Sequence, residues 1–223
     1  MKRQISAKIF LIFFIAAIIF CAPHVNASST SYFDMTVSNA DTNLEPFPKW
    51  TTMVERYETQ SKASDDDCDK VEFHPCDGLA EWGQMLDSLQ GKSLRTQMKE
   101  VNDWANDHPY ILDQVNWGVE DYWETPYEFM TVNGDCEDYA IAKYYSLRLL
   151  GVPPEKMRVM IVQDLNLGGV IHAILGVDVD DQLIILDNQI KQVIPAMKIY
   201  HYRPIYGINE NWWWAYTPKY TGL

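Results

Sequence analysis

The stretch Asn133-Gly-Asp-Cys-Glu-Asp-Tyr-Ala140 contains the turn and the helix start that decide the fold of this chain. Gly134 predicts a turn, and the residues that follow predict a helix from Cys136 to Leu150. Gly151 is the expected C-cap, and the next residues, Val-Pro-Pro, prevent the helix from continuing. A cysteine is therefore expected at a helix N-terminus, where the exposed amides stabilise a thiolate and lower its pKa.

Three runs rich in β-branched and aliphatic residues follow the helix, at 157–163, 170–177 and 182–187. Such runs predict strands, and the short link Asp180-Asp181 between the second and the third predicts a hairpin. A fourth run, Tyr202–Ile208, adds a further strand. The sheet is therefore expected to be antiparallel and to pack against the helix that begins at Cys136.

The residues before Asn133 predict mostly helical structure. A helix is expected from residue 50 to about residue 62, and apolar residues recur at three and four positions in the next two stretches. These apolar positions are Leu79, Trp82, Leu86 and Leu89 in the first stretch and Leu94, Met98, Val101 and Trp104 in the second. The aromatic segment 113–130 predicts a packed core layer, and Pro126 within it predicts a helix start with Thr125 as the N-cap. The predicted fold class is α+β, with helices first and a small antiparallel sheet after them.

Cys136, His172 and Asp187 are the residue types of a thiol active site, in the chain order helix start, strand and strand end. A thiolate nucleophile needs a base and a third group that orients the base. The predicted hairpin places His172 and Asp187 on neighbouring strands, where cross-strand side chains approach to about 5 Å. Taken singly, each residue is more typical of structure: a small buried cysteine, a core histidine and an aspartate in a turn. The three together are harder to explain in that way, and they raise the hypothesis of a thiol active site.

The first 27 residues have the organisation of an export signal. Basic residues at positions 2, 3 and 8 precede an apolar run, 9–22, whose 14 residues are too few for a membrane span. The sequence Val25-Asn26-Ala27 predicts cleavage after residue 27. The mature chain is then an irregular polar segment, residues 28–48, and one domain, residues 49–223. An uncleaved N-terminal anchor is the alternative, and both interpretations place the domain outside the cytoplasm.

Cysteine usage agrees in part with export. The bulky Phe20 before Cys21 argues against attachment of a lipid. Cleavage leaves Cys68, Cys76 and Cys136, an odd number for an exported protein. Cys68 and Cys76 are eight residues apart and are candidates for a small disulfide loop, which the sequence does not decide. Cys136 is then the remaining thiol.

Charge restricts the classes of partner. The chain has a net charge of −13, and the 196 residues after the predicted signal hold 15 basic and 31 acidic side chains. Nucleic-acid binding draws most of its affinity from Lys and Arg contacts to phosphates, so we expect no nucleic-acid partner. So acidic a chain is better suited to remaining soluble or to holding hard cations.

Several ordered strings resemble the bacterial transglutaminase-like cysteine proteinases, and within them the periplasmic LapG-type adhesin proteases. They are Gly134-Asp-Cys-Glu-Asp-Tyr-Ala140 with Lys143 and Leu147-Arg-Leu-Leu-Gly151, Asn116-Trp-Gly118, Asp121-Tyr-Trp123, His172-Ala173, Leu186-Asp-Asn-Gln189 and Pro204-Ile-Tyr206. The resemblance covers roughly residues 45 to 215 of the printed sequence. It implies a papain-like transglutaminase core with a helical N-terminal part. It also implies that Cys136 is the nucleophile, His172 the general base and acid, and Asp187 the orienting residue.

The same resemblance implies a substrate and a partner. Such proteases cut a large surface adhesin in its N-terminal region, at two consecutive alanines, and so release it from the outer membrane and loosen a biofilm. An inner-membrane LapD-type receptor that senses cyclic di-GMP holds the protease when that nucleotide is abundant. The predicted signal peptide is consistent with the periplasm, where the protease would encounter the adhesin and the receptor.

Three acids, Asp135, Glu137 and Asp138, flank Cys136. Acids in a first helical turn ordinarily complement the helix dipole. Negative charge beside a cysteine raises its pKa, however, and a bound cation would reverse the local field. The resemblance implies dependence on Ca²⁺ through these acids, because LapG-type proteases use acids next to the cysteine. An EF-hand is excluded, since no loop of twelve residues has the required spacing.

Two other functions fit the same residues. A protein transamidase would resolve the thioester with an amine instead of water, and a binding module would keep the fold without catalysis. The backbone amide of Cys136 is a candidate oxyanion donor. The indole of Trp117 is a second candidate, although packing is its more typical role. The aromatic cluster Trp212-Trp213-Trp214 is either a partner surface or ordinary packing.

Overall fold

The computed structural model describes residues 33–62 and 79–219, which form helices packed on an antiparallel sheet. The helices are α1 (Pro48–Gln60), α2 (Leu79–Leu89), α3 (Leu94–Asn106), α4 (Asp113–Asn116), α5 (Pro126–Val132) and α6 (Cys136–Leu149). The strands are β1 (Met35–Val37), β2 (Met157–Asp164), β3 (Val170–Val179), β4 (Gln182–Leu186), β5 (Ile194–Pro195), β6 (Tyr202–Ile208) and β7 (Trp213–Pro218). The predicted α+β class, with helices before a sheet, is confirmed.

The sheet is larger than the sequence predicted. Among the described residues its strand order is β1-β7-β6-β2-β3-β4-β5, and every neighbouring pair is antiparallel. The predicted hairpin is β3–β4, whose link residues Asp180 and Asp181 have φ of 48° and 61°. Two consecutive residues with positive φ match the right-handed twist of the flanking strands, and aspartate tolerates this conformation.

Helix α6 lies at the centre of the fold, between the sheet and α3. Its residues from Glu137 to Leu147 are buried, and Ile141, Tyr144 and Leu147 join β2 and β3 side chains in one core cluster. Burying a side chain such as Leu147 contributes about 1.5–3 kcal/mol to folding. The core thereby holds the first residue of α6, Cys136, in a defined place beside β3.

Local signals set the start of α5 as predicted. Thr125 is the N-cap of α5, its hydroxyl accepts from the Glu128 N–H, and Pro126 is the first helical residue. The Glu128 carboxylate accepts from the Thr125 N–H and pairs with Arg56 of α1. This pairing ties α5, and the segment before α6, to the first helix.

The aromatic residues near the C-terminus pack within the fold. The Trp213 ring lies 5.1 Å from the Phe47 ring, and the Arg158 guanidinium lies 4.4 Å above the Trp214 ring. Both tryptophans belong to β7, a strand that the sequence did not predict.

The predicted signal peptide (1–27), Cys21, and the Cys68–Cys76 pair lie outside the described residues. Within residues 33–62 and 79–219, no helix is both long enough and apolar enough to cross a membrane.

Candidate active site

Cys136 is the first residue of α6, and the chain enters this helix through a tight turn. Asp138 accepts from the backbone N–H of Asp135 (2.9 Å) with one carboxylate oxygen and from the N–H of Glu124 (2.7 Å) with the other. A Cβ at position 134 would overlap the Asp138 carboxylate, so Gly134 is required by this close approach. The turn therefore fixes the direction in which the Cys136 side chain leaves the helix.

The thiol of Cys136 lies between an acid and a backbone amide. Its S–H donates to Glu137 Oε2 (3.4 Å), and the backbone N–H of Ala173 donates to the sulfur. Burial raises the pKa of the Cys136 thiol, and the charges of Glu137 and Asp135 raise it further, beyond what the Ala173 amide offsets. In the chain by itself, burial and the two acids therefore outweigh the lowering of the pKa that the helix start favours.

His172 and Asp187 form a buried hydrogen-bonded pair. His172 Nε2 lies 2.9 Å from Asp187 Oδ1, and the two side chains are 2% and 1% exposed. Burial alone would raise the pKa of Asp187, but bonds from His172, the Gln189 N–H and the Tyr202 hydroxyl outweigh it and hold that pKa below its ordinary value. An ionised carboxylate on Nε2 leaves Nδ1 as the nitrogen that can take a proton. The Gln189 side-chain amide lies 3.3 Å from Nδ1.

The register explains this pairing. Leu175 pairs with Leu186 across β3 and β4, so Asp187, one residue past the end of β4, lies diagonally across from His172. The sequence prediction of neighbouring strands agrees with this arrangement, although the two residues are not directly opposite. Asn106 of α3 donates to the Asp187 carbonyl (2.8 Å) and anchors the segment after β4.

One cavity of about 610 Å³ brings the thiol and the imidazole together. Cys136 and His172 line it, as do the predicted metal ligands Asp135 and Glu137. Asp187 does not line the cavity and lies behind the imidazole. The other lining residues are Lys49, Tyr110, Glu120, Asp121, Trp123, Ile161, Ile171, Ala173 and Tyr206.

Acidic side chains extend from this cavity into the protein. Three groups of side chains have possible ligand atoms within 4.8 Å of one another. The first is Asp113, Asp121 and Glu137, the second is Asp113, Glu124 and Asp138, and the third is Asp135 and Glu137 with the Cys136 sulfur. We call Asp113, Asp121, Glu124, Asp135, Glu137 and Asp138 the acid cluster. Burial is the main cause that raises the pKa of Asp113 to about 6, of Glu124 to about 8 and of Glu137 to about 10.

The acid cluster has the donor atoms of a hard-cation site. Buried oxygens of Asp113 (Oδ1), Glu124 (Oε2) and Asp135 (Oδ1) accept no hydrogen bond from the described residues. Such atoms are costly to bury unless something else binds them. Carboxylate oxygens are the ligands that Ca²⁺ prefers, and a cation would keep these groups ionised. These residues therefore fit a calcium ion.

Known proteins place the chain in a family. A family model described as bacterial transglutaminase-like cysteine proteinase, Peptidase_C93, matches residues 55–218, more than two thirds of the chain. The chain belongs to the bacterial transglutaminase-like cysteine proteinases. No curated protein matches it.

Solved structures of Legionella pneumophila LapG are similar to this cysteine proteinase. One is described as LapG, a second as calcium-bound and a third as EGTA-treated. Each is 27% identical with a TM-score of 0.57 over 73% of this chain, and the match covers 87%, 87% and 84% of the LapG chains. The transglutaminase-like fold predicted from the sequence is confirmed, and family and neighbours together point to a cysteine protease.

Of the acid cluster, the sequence indicates Asp135, Glu137 and Asp138 as metal ligands, but not Asp113, Asp121 and Glu124. All three lie in the segment 113–130, whose aromatic residues predict core packing, and Asp113 begins α4. The available signal was a set of carboxylates spaced through this aromatic segment.

The structure does not support Trp117 as an oxyanion donor. Its indole N–H donates to Glu124 Oε1 (2.7 Å), which directs it to the acid cluster instead of a substrate carbonyl.

Proposed function

We propose that this proteinase is a periplasmic, calcium-dependent cysteine endopeptidase that cleaves the N-terminal region of a large surface adhesin at two consecutive alanines. The observation that carries the proposal is the placement of Cys136 and His172 in one cavity, with Asp187 buried behind the imidazole. Family membership supports the reaction class. The adhesin and the cleavage site come from the resemblance to LapG-type proteases.

The chemistry assigned to these residues is acyl transfer to a thiol. The Cys136 proton passes to His172 Nδ1, and the sulfur attacks the scissile carbonyl carbon to form a tetrahedral oxyanion. The imidazolium then gives its proton to the departing amine, which leaves a thioester. His172 next takes a proton from water as the water oxygen attacks the thioester carbon. The C–S bond then breaks, the carboxylic acid product leaves, and the proton returns to the sulfur. The ionised Asp187 stabilises the imidazolium throughout.

The acid cluster explains why this thiol would depend on a metal. In the chain by itself the Cys136 S–H donates to Glu137 and is therefore directed away from the base, His172. Asp135 and Glu137 face the cavity, and Asp113 and Glu124 supply oxygens that lack a donor. These four residues, with Asp121 beside them, would hold Ca²⁺, whereas both Asp138 oxygens already accept backbone bonds. When bound, the cation supplies fixed positive charge that favours carboxylate and thiolate over their protonated forms. The structures of LapG described as calcium-bound and EGTA-treated support this part of the proposal.

The proposed function also includes the location of the enzyme and its control by a receptor. Export by the N-terminal 27 residues places the enzyme in the periplasm, and release of the adhesin there promotes biofilm dispersal. A LapD-type inner-membrane receptor that senses cyclic di-GMP would withhold the enzyme from the adhesin.

The experiment that tests the reaction uses residues 28–223 with an N-terminal fragment of a large adhesin from the same cell, analysed by mass spectrometry. A single cut at a di-alanine, absent with Cys136→Ala, is expected in calcium. Covalent incorporation of an added primary amine without net hydrolysis would contradict the protease and identify a transamidase. An inert thiol and an intact adhesin would contradict both enzymes and leave a binding module.

A further inference from the structure

The Asp187 carboxylate is bound by donors outside the proposed triad. Oδ2 accepts from the Tyr202 hydroxyl at 2.7 Å. Oδ1, which faces His172 Nε2, also accepts from the Gln189 backbone N–H at 2.9 Å. Both carboxylate oxygens therefore have a protein partner, and the one on Oδ2 is a side chain from β6, a strand that does not pair with β3 or β4.

Tyr202 reaches this position because β6 contains a bulge. The pairing of β2 with β6 runs from Ile161 and Tyr206 directly to Val162 and Pro204, so Ile205 is an extra residue. Because of the extra residue, alternate side chains on the two sides of the bulge point to opposite faces of the sheet. Tyr206 accordingly packs against the cluster that contains α6, whereas Tyr202 packs in the cluster on the opposite face.

The bulge also places Tyr202 on the same face of the sheet as the His172 imidazole. His172 pairs with Val162, and Val162 pairs with Pro204, so these residues share a face of the sheet with Tyr202, two positions from Pro204. The His172 and Tyr202 rings are 5.7 Å apart. With the uninterrupted register, Tyr202 would point towards α6 and could not reach Asp187 from the side of His172.

We propose that Tyr202 is a positioning residue of this enzyme, whose hydroxyl fixes the plane of the Asp187 carboxylate and thereby the orientation of the His172 imidazole. The inference rests on the proposed function and extends its machinery to β6. The terminal torsion of an aspartate is soft, and His172 and Gln189 both bind the same oxygen. Asp187 and Tyr202 are 1% and 3% exposed, so water has little access to replace a lost donor on Oδ2.

Other charged groups near Asp187 and Tyr202 also affect their pKa values. The Lys143 ammonium of α6 interacts favourably with the Asp187 charge, as does a protonated His172 on β3. Asp164 on β2 and Cys136 at the start of α6 act on the Tyr202 hydroxyl. None of these groups is altered when only the tyrosine hydroxyl is removed.

The test compares Tyr202→Phe with Tyr216→Phe in residues 28–223. Tyr216 is a matched control, because it is buried in the same core cluster but its hydroxyl contacts Arg158 instead of Asp187. The first readout is the pH titration of the Asp187 side-chain carbon by NMR in aspartate-labelled protein. Loss of a donor to the ionised form raises the pKa of Asp187, by about one unit in Tyr202→Phe, and Tyr216→Phe leaves it unchanged.

The second readout is cleavage of the adhesin fragment in calcium. Tyr202 lies behind Asp187 and does not line the cavity, so Tyr202→Phe lowers kcat, by up to about 100-fold, and leaves KM unchanged. Tyr216→Phe keeps the wild-type kcat. Thermal unfolding of both variants checks that each is folded.

Two results would overturn the inference: an Asp187 titration in Tyr202→Phe identical to wild type, or a shifted titration with an unchanged kcat. If the wild-type enzyme itself fails to cut the adhesin, the proposed function has failed instead. The NMR readout then decides by itself whether Tyr202 positions the carboxylate.

Discussion

The Nε2 atom of His172 lies 2.9 Å from Oδ1 of Asp187, and both side chains are almost fully buried. A carboxylate held in this way fixes the imidazole tautomer and directs Nδ1 to the proton that must be transferred. Asp187→Asn is expected to keep the fold and to lower kcat for adhesin cleavage about 10³–10⁴-fold, because the amide does not select that tautomer. Steady-state kinetics in the presence of calcium measures the decrease in kcat. Asp103→Asn, at a half-exposed acid on α3, is the matched control. A variant at position 187 with wild-type kcat would refute the role of Asp187.

Calcium affinity should depend on acids that are distant from Cys136 in sequence. Glu124→Gln and Asp113→Asn each remove a carboxylate charge from the acid cluster. We expect each substitution to weaken calcium binding at least about tenfold by titration calorimetry, because ligand charge tunes the affinity of Ca²⁺ sites. Asp103→Asn should leave the affinity unchanged. Equal affinities in all four proteins would place the ion elsewhere.

Lys143 should make stability depend on pH above neutrality. Burial lowers the pKa of its ammonium from 10.5 to about 7, more than the nearby Asp187 and Asp103 carboxylates raise it. Between pH 7 and 10.5 the unfolded chain binds the proton that the folded chain has lost, so this group makes the protein more stable as pH rises.

The comparison for Lys143 is wild type against Lys143→Met in urea unfolding. The difference in unfolding free energy between the two proteins should change by up to about 1.4 kcal/mol per pH unit between pH 7 and 9.5. The methionine variant is expected to gain most relative to wild type below pH 7, where the folded wild type must bury a charged amine. A difference that is constant with pH would show that Lys143 is charged in the folded protein.

Gly134 should resist substitution even by alanine. A methyl group there would overlap the Asp138 carboxylate, which caps α6 through the Asp135 N–H. We expect Gly134→Ala to lower the free energy of unfolding by about 1–3 kcal/mol. Gly83→Ala in α2, where a Cβ has nothing within 4 Å, is the control and should stabilise by about 0.5–1 kcal/mol. Similar effects at the two positions would show that the turn before Cys136 is not tightly packed.

Local signals explain why much of the fold was predictable. The N-cap at Thr125, the helix start at Cys136 and the hairpin link at Asp180 and Asp181 each depend on residues within a few positions. Strands β1 and β5 have three and two residues, too few for a periodic pattern, so the sequence could not predict them.

The site was predictable only where one element or one hairpin carries it. Cys136, His172 and Asp187 follow from a helix start and a hairpin. The acid cluster depends on how the segment between α4 and α5 folds back on α6, which brings Asp113 and Glu124 beside Asp138. The bulge at Ile205 is a further tertiary feature, since an alternating pattern does not show where a strand changes face.

If a metal held by the acid cluster acts on the Cys136 thiol, the cleavage rate must depend on free calcium. The initial rate of adhesin cleavage is followed as free calcium is raised from a strong chelator to millimolar, in wild type and in Glu137→Gln. We expect a wild-type rate that is negligible in chelator and rises to saturation with calcium. The Glu137→Gln curve should be displaced to higher calcium. A wild-type rate that is the same with and without the chelator would show that no metal acts on the thiol.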